Sequence, residues 1–81
     1  MEIKIVTPKV WRYIVLHRLE SKWSKCVVLF SNNPKHPSLH TELLEPKEEM
    51  IFSFRLDKKY RALFMIKNTT AFVFRITNHY K

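Results

Sequence analysis

The sequence contains no glycine and only one cysteine among its 81 residues. Without glycine, a turn that needs a positive φ must use another residue, and Asn or Asp tolerates that conformation best. The candidates are Asn32, Asn33, Asp57, Asn68 and Asn78. We therefore expect the left-handed backbone positions at these residues.

The single cysteine, Cys26, excludes a disulfide within the chain and fits a reducing cytosol. It is followed by Val27 and Val28 and lies close to Phe30, so we expect a small buried side chain rather than a nucleophile. The sequence shows no signal peptide and no long apolar run. Secretion and membrane spanning are therefore not expected.

Acidic residues are also scarce. Seven Asp and Glu stand against fifteen Lys and Arg, which gives a net charge of +8. Such an excess favours an anionic partner, either nucleic acid, an acidic protein segment or an anionic membrane surface. A basic protein without any such partner is the alternative, because charge alone does not identify a ligand. The length allows one domain, residues 1–81.

Two helices are predicted in the first half of the chain. Thr7 is a good N-cap and Pro8 suits the first helical position. Apolar residues then recur at helical spacing, at Val10, Trp11, Ile14 and Val15, and again at Trp23, Cys26, Val27 and Phe30. One long helix would satisfy the pattern. We prefer two, the second over residues 21–31, joined near residues 19–22, because a helical hairpin can cover a small sheet.

Strands are predicted at both ends of the chain, at residues 1–6, 50–56, 60–66 and 71–77. The cluster of Asn and Pro at residues 32–37 ends the helices. An irregular connection follows, with a short strand or turn at residues 39–44 as an option. The predicted fold is an α+β two-layer sandwich of order β-α-α-β-β-β, a helical hairpin packed on a mainly antiparallel four-stranded sheet.

Side chains alternate between the two faces of a strand, so the sequence also predicts which residues share a face. The predicted inner face is apolar: Phe52, Phe54, Leu56, Ala62, Phe64, Ile66, Phe72, Phe74 and Ile76. We expect it to pack against Trp11, Ile14, Val15, Val27 and Phe30. The predicted outer face carries Arg55, Arg61, Arg75 and His79, a set suited to a phosphate chain.

Taken in order, several short segments resemble the RelE/ParE superfamily of bacterial toxins. They are residues 33–40, Leu43, residues 52–56, residues 60–64 and residues 78–80. The resemblance covers essentially the whole chain and implies a RelE-like fold. Members of the superfamily include ribosome-dependent mRNA endoribonucleases and gyrase poisons, each neutralised by a cognate antitoxin.

The resemblance also implies roles for individual residues. Arg61 matches the arginine that holds the scissile phosphate in RelE- and YoeB-like nucleases, although it could instead pair with Asp57. His79 and Tyr80 resemble the terminal His-Tyr pair of the YoeB-like branch. We expect the histidine to protonate the leaving 5′-oxygen, and the tyrosine either to stack on a base or to orient the substrate. A solvated chain end is the alternative for both residues.

Three further residues are assigned to substrate binding. They are Arg55, which lies where RelE-like nucleases carry a basic residue, Arg75 on the same predicted face as Arg61, and His40. Arg55 could equally be a solvated residue at the sheet edge. Ser53 stands where another basic residue is expected.

The general base is not fixed by the sequence. YoeB-like nucleases use a glutamate in the connection before the last three strands, and by spacing that position falls near Pro37. His36, His40 and Glu42 are the nearby candidates. His36 and His40 lack a convincing third ligand, so the sequence predicts no metal site and no other cofactor.

The sequence thus predicts the toxin of a type II toxin–antitoxin system that acts in the cytoplasm. Its expected activity is metal-independent cleavage of mRNA on the ribosome, which inhibits translation, and its expected partners are an antitoxin and mRNA. The alternatives are a ParE-like inhibitor of DNA gyrase, a RelE-like homologue without activity, or a plain nucleic-acid-binding domain.

Overall fold

The structure of the protein, a computed structural model, describes residues 1–78. The helices are α1 (Pro8–Leu16) and α2 (Glu20–Asn32). The strands are β1 (Glu2–Ile5), β2 (Glu42–Leu43), β3 (Phe52–Arg55), β4 (Arg61–Lys67) and β5 (Thr70–Thr77), and short 3₁₀ turns lie at Pro37–Leu39 and Lys47–Glu49. No helix within these residues is long and apolar enough to cross a membrane.

The strands form one sheet in the order β1-β5-β4-β3-β2. β1 runs parallel to β5, and the other neighbours are antiparallel. The predicted α+β sandwich, with two helices on one face of a mainly antiparallel sheet, is confirmed. The expected number of strands was one too low, because the two residues of β2 add a fifth strand at the edge.

α1 begins as the sequence predicts. The Thr7 hydroxyl accepts a hydrogen bond from the Lys9 amide at 3.2 Å, and Pro8 takes the first helical position. Its end is a Schellman motif: the Leu19 amide donates to the Ile14 carbonyl at 2.8 Å and the Arg18 amide to Val15 at 3.1 Å. The two helices therefore join at residues 17–19, slightly before the expected position.

The left-handed backbone positions differ from the prediction. They are Arg18, His40, Met50 and Asn68, of which the sequence predicted only Asn68. The left-handed conformation costs a residue that has a Cβ about 1–2 kcal/mol relative to the right-handed one. At Arg18, His40 and Met50 a backbone amide bond closes the preceding turn, to Val15, Pro37 and Lys47 respectively, and these bonds offset the strain.

The sheet face predicted for β5 is wrong over its first half. Leu63 pairs with Arg75 but Phe64 pairs with Val73, so Phe74 is the extra residue of a β-bulge. The bulge reverses the alternation, which buries Ala71 and Val73 before it and Ile76 after it, and leaves Phe74 only half-buried. Phe72, also expected inside, is half-buried as well.

Most of the other predicted core residues are buried between the layers. Phe54, Leu56, Ala62, Phe64, Ile14 and Phe30 are buried, and Phe52 and Val27 are half-buried against them. The expectation is wrong for Trp11, Val15 and Ile66, whose exposed fractions exceed 40%. Trp11 and Val15 lie on the exposed side of α1, and Ile66 lies one residue before the end of β4.

Candidate functional site

Arg61 is the centre of the candidate site. It is the first residue of β4, and its side chain lies on the sheet face opposite the helices, where only 6% of the residue is exposed. The guanidinium donates from Nε to the Ser53 hydroxyl at 2.9 Å, and from Nη2 to the Ser53 and His40 carbonyl oxygens. The predicted outer position is correct, but the guanidinium is fixed and buried rather than solvated.

Strand pairing explains why Ser53 reaches Arg61. Arg55 pairs with Arg61 across β3 and β4, so Ser53 lies two residues away on the same face, at the diagonal position. A serine is short enough to accept the Nε hydrogen bond from this distance. Ser53, where the family resemblance led us to expect a basic residue, therefore holds the arginine in place.

The His40 carbonyl is placed by the loop that precedes β2. Leu39 is fully buried and anchors this loop, and the Thr41 hydroxyl donates to the Pro34 carbonyl at 2.6 Å. The left-handed conformation of His40 then turns its carbonyl towards Arg61. The imidazole of His40 remains exposed at the surface of the site.

A small cleft of about 110 Å³ opens over Arg61, and we call it the basic cleft. It is lined by Arg61 together with His40, Glu42, Arg55, Asp57, Lys58 and Lys59. Four of these seven residues are cationic, so the cleft suits an anionic group as small as a phosphate. Of the residues that the sequence assigns to substrate binding, Arg55 and His40 thus lie beside Arg61, and their roles stay a prediction.

The surroundings of Arg61 shift the pKa of its guanidinium. Burial lowers the pKa of its guanidinium, the carboxylate of Glu42 raises it, and the charge of Arg55 lowers it, so the pKa is lower than usual. Arginine nevertheless stays protonated in proteins at neutral pH. A buried cation with fixed donors can stabilise negative charge that develops beside it without having to reorganise.

The loop between β3 and β4 supplies the two lysines of the basic cleft. Asp57 fixes this loop: its carboxylate accepts hydrogen bonds from the amides of Lys59 and Tyr60, both at 2.8 Å, and from Lys22 Nζ at 2.6 Å. Burial alone would raise the pKa of Asp57, but these hydrogen bonds lower it. The carboxylate of Asp57 therefore binds Lys22 and the loop backbone. These bonds argue against the alternative in which Asp57 serves as the ion-pair partner of Arg61.

Sequence reasoning missed Lys58 and Lys59 as site residues. The available signal was their place in the chain, since they follow Asp57 in a turn that leads directly into Arg61. The structure also separates the candidates for the general base. Glu42 pairs with Ser53 on the Arg61 face and lines the basic cleft with His40, whereas His36 lines a neighbouring cleft.

Arg75 lies apart from this group. It is exposed on β5 and lines a different cleft with Lys9, Val10 and Tyr13 of the first helical segment. Burial raises the pKa of the Tyr13 phenol, and the positive charge of Arg75 partly opposes this increase. The structure therefore does not bring Arg75 into the basic cleft. His79 and Tyr80 lie outside the described residues.

The chain is similar to known proteins in its structure, but no match was found by sequence. No protein-family model and no curated protein sequence matches the chain. Among solved structures, a YoeB/ParE toxin from Agrobacterium tumefaciens is similar with a TM-score of 0.74 at 16% identity, covering 99% of this chain and 100% of that one. The chain has the fold of the YoeB/ParE toxins.

Two further solved structures with this YoeB/ParE fold are similar to the chain. A YoeB dimer from Staphylococcus aureus has a TM-score of 0.73 at 14% identity and covers 99% of this chain and 98% of that one. A copper-bound mutant toxin from Helicobacter pylori has a TM-score of 0.75 at 13% identity and covers 98% and 94%. The fold that the RelE/ParE resemblance implied is thereby confirmed.

Copper in one structure of the YoeB/ParE fold raises the question of a metal here. Within residues 1–78, no group of three or more His, Cys, Asp or Glu side chains could hold a metal ion. The side chains of the basic cleft that could take part in proton transfer are those of Glu42 and His40.

Proposed function

We propose that the chain is the toxin of a type II toxin–antitoxin system and that it cleaves mRNA on the ribosome. The observation that carries the proposal is the buried guanidinium of Arg61, held by Ser53 and the His40 carbonyl at the base of the basic cleft. The YoeB/ParE fold supports a toxin, and the fixed cation supports chemistry at a phosphate. The proposed site of action is the cytoplasm.

Cleavage of RNA without a metal uses the ribose next to the phosphate that is attacked. A base removes the proton of the 2′-hydroxyl, the 2′-oxygen bonds to phosphorus, and the bond from phosphorus to the 5′-oxygen breaks as an acid protonates that oxygen. The products are a 2′,3′-cyclic phosphate and a 5′-hydroxyl. Negative charge is largest on the phosphate oxygens midway, so Arg61, supported by Arg55, acts there.

The proton transfers are assigned to the polar residues around Arg61. Glu42 is the preferred base because it shares the basic cleft and the sheet face with Arg61, and His40 is the second candidate. His79 is the proposed acid, and Tyr80 the proposed stacking residue for a base. Lys58 and Lys59 would bind phosphates on either side of the scissile one.

The test is an in vitro translation reaction with purified protein, followed by primer extension on the mRNA. The parent should give discrete stops within codons, and both Arg61→Gln and Glu42→Gln should reduce them by about 10²-fold or more. Arg12→Gln is the matched control: it removes one positive charge from an exposed position on α1, outside the basic cleft, and should cleave like the parent.

The same preparation distinguishes the rival functions. Gyrase–DNA complexes that accumulate in its presence, without any stops in the mRNA, would show a gyrase inhibitor instead. Stops that persist at full strength in Arg61→Gln would show that the basic cleft is not the catalytic site. Neither stops nor gyrase complexes would leave an inactive homologue or a binding domain.

A further inference from the structure

The segment that joins the two helices contacts the loop that carries the lysines of the basic cleft. We call residues 17–22, which end α1 and begin α2, the helical joint, and residues 56–60, which connect β3 to β4, the lysine loop. Two side-chain contacts link these segments, between residues that are 35 and 43 positions apart in the chain. The helical joint therefore holds the lysine loop at two points.

The first contact is between Lys22 and Asp57. Lys22 Nζ donates to Asp57 Oδ2 at 2.6 Å, while Asp57 Oδ1 accepts from the amides of Lys59 and Tyr60, both at 2.8 Å. One carboxylate thus binds the helical joint with one oxygen and the backbone of the lysine loop with the other.

The second contact is between His17 and Tyr60. The Tyr60 hydroxyl lies 3.3 Å from His17 Nδ1, within hydrogen-bond distance, and the imidazole stacks on Tyr13 with ring centres 4.0 Å apart. The Tyr60 carbonyl accepts from the Leu56 amide at 2.9 Å, which closes the lysine loop. Lys59 Nζ lies 5.3 Å from the centre of the Tyr60 ring, a cation–π distance. The ring that His17 contacts therefore also places one of the two lysines.

We propose that the helical joint positions the two lysines of the basic cleft, acting through Asp57 and Tyr60. Lys58 and Lys59 are exposed, so their own side chains do little to fix the lysine loop. Held by the helical joint, they would meet the phosphates on either side of the scissile one. This inference rests on the proposed function, which assigns the two lysines to those phosphates.

The expected effect falls on RNA binding rather than on bond cleavage. Arg61 is held separately by Ser53 and by the His40 carbonyl, so its guanidinium keeps its place when the lysine loop loosens. A loosened loop must be ordered when the phosphates bind, which weakens association. Loss of a contact to the helical joint should therefore raise the KM for mRNA and leave kcat within about twofold.

Asp57 provides a test in which positioning and charge predict opposite results. Its carboxylate lines the basic cleft, so if it acted only by repelling phosphates, its removal would strengthen RNA binding. Because Asp57→Ala also frees the lysine loop, we expect RNA to bind about threefold or more weakly, a loss of the order of one hydrogen bond. The probe is a fluorescein-labelled dodecanucleotide with 2′-O-methyl riboses, which cannot be cleaved, and fluorescence anisotropy in low salt measures its affinity.

Tyr60→Phe and Tyr13→Phe form a matched pair. Tyr60→Phe removes the hydroxyl that faces His17 and keeps the ring beneath Lys59. Tyr13→Phe removes a hydroxyl from the neighbouring ring, which lies 6.1 Å away, and keeps the stacking on His17. Tyr60→Phe should bind the RNA about threefold more weakly, and Tyr13→Phe should bind it like the parent.

Lys22→Gln and Lys25→Gln form a second matched pair. Each variant removes one positive charge from an exposed position on α2, but the ion pair to Asp57 is made by Lys22. Lys22→Gln should therefore weaken RNA binding more than Lys25→Gln does. An exposed ion pair contributes little to stability, so the two variants should have similar denaturation midpoints. A difference in binding without a difference in midpoint separates placement of the lysine loop from stability of the fold.

A double-mutant cycle tests whether the effect acts through the lysines. In a protein that carries Lys58→Gln and Lys59→Gln, adding Tyr60→Phe should cause no further loss of RNA affinity. Salt dependence gives a second measurement, because each lysine that reaches a phosphate steepens the decrease of affinity with salt. Tyr60→Phe should make this decrease shallower, as the lysine variant does, whereas Tyr13→Phe should not.

Four results would overturn the proposal. They are tighter RNA binding by Asp57→Ala, equal binding by Tyr60→Phe and Tyr13→Phe, a Tyr60→Phe loss that persists in full without the two lysines, and a parent that does not bind the RNA. Circular dichroism and the denaturation midpoint establish that each variant is folded.

Failure of the proposed function would look different. A parent that binds the RNA and shows the expected losses, but cuts nothing on ribosomes, would refute the nuclease and leave the positioning role standing. A parent that cuts mRNA with the same KM as Tyr60→Phe would refute the positioning role and leave the nuclease standing.

Discussion

The side chain of Arg61 donates from Nε to the hydroxyl of Ser53 at 2.9 Å, and both residues are buried on the sheet face that has no helices. Two polar side chains from neighbouring strands thus form a fixed pair beneath the basic cleft. Their relationship means that the position of the guanidinium depends on a residue that need not touch the substrate.

Ser53 is accordingly predicted to be a positioning residue. Ser53→Ala removes the Nε acceptor and should lower kcat for mRNA cleavage by about 10- to 100-fold, because small displacements of a catalytic group have effects of this size. Ser53→Thr keeps a hydroxyl and should restore most of the rate. Single-turnover cleavage at saturating ribosomes would measure the effect, and equal rates for Ala and parent would contradict it.

Arg61 should also contribute to stability, because its side chain is buried and hydrogen-bonded. Its removal in Arg61→Ala leaves the buried Ser53 hydroxyl without this donor, a loss of about 1–3 kcal/mol. Arg12→Ala, on an exposed surface of α1, should change the free energy of unfolding by less than about 0.5 kcal/mol. Urea denaturation of the two variants is the measurement. Equal urea midpoints for Arg61→Ala and Arg12→Ala would indicate that the hydrogen bonds of Arg61 contribute nothing to stability.

His79 stays a sequence-based prediction. If it is the general acid, His79→Gln should reduce cleavage by about 10²–10⁴ while the protein remains folded. Arg12→Gln, at an exposed position on α1 outside the basic cleft, serves as the control and should retain cleavage. Primer extension at equal protein concentration checks both variants. Full cleavage by His79→Gln would assign the acid to another residue.

The bulge in β5 predicts different responses from two phenylalanines. Phe54 is fully buried, so Phe54→Ala should destabilise the protein by roughly 3–5 kcal/mol. Phe74 is only half-buried, so Phe74→Ala should have a clearly smaller effect, about 1–2 kcal/mol. Chemical denaturation measures both variants. A larger loss of stability in Phe74→Ala than in Phe54→Ala would contradict the bulge and support an uninterrupted alternation along β5.

Cys26 should react slowly in the folded protein. Burial raises the pKa of its thiol to about 11, with Lys25 acting to lower it and Asp57 to raise it. The thiol also donates to the Arg55 carbonyl at 3.4 Å. Because the thiolate is the nucleophile, alkylation by iodoacetamide at pH 8 should be much slower in the native protein than in guanidinium chloride.

The pH dependence of Cys26 has a definite sign. The raised pKa contributes stability below the ordinary thiol pKa, and this contribution is lost as pH rises towards 11, since the unfolded thiol ionises first. The native alkylation rate should therefore climb between pH 9 and pH 11. A native rate equal to the unfolded rate at pH 8 would show that the thiol is accessible.

Much of the architecture follows from the sequence because it depends on neighbours along the chain. A capping threonine before a proline begins α1, the Asn and Pro cluster follows α2, and alternation places Phe54 and Phe64 inside and Arg61 outside. Propensities, caps and alternation involve residues one to four positions apart. They are therefore visible in a single sequence.

The candidate site depended on contacts that are distant in sequence. Arg61 contacts Ser53, eight residues away, and the His40 carbonyl, twenty-one residues away. Glu42 enters the basic cleft only because β2 pairs with β3, and Arg75 leaves it for a cleft beside α1. The sequence by itself determined the α+β fold and the choice of Arg61. The side chains that meet in the basic cleft were decided by strand register, by the bulge at Phe74 and by the loop before β2. These three features arise from contacts between distant segments, and no local sequence pattern encodes the relative positions of such segments.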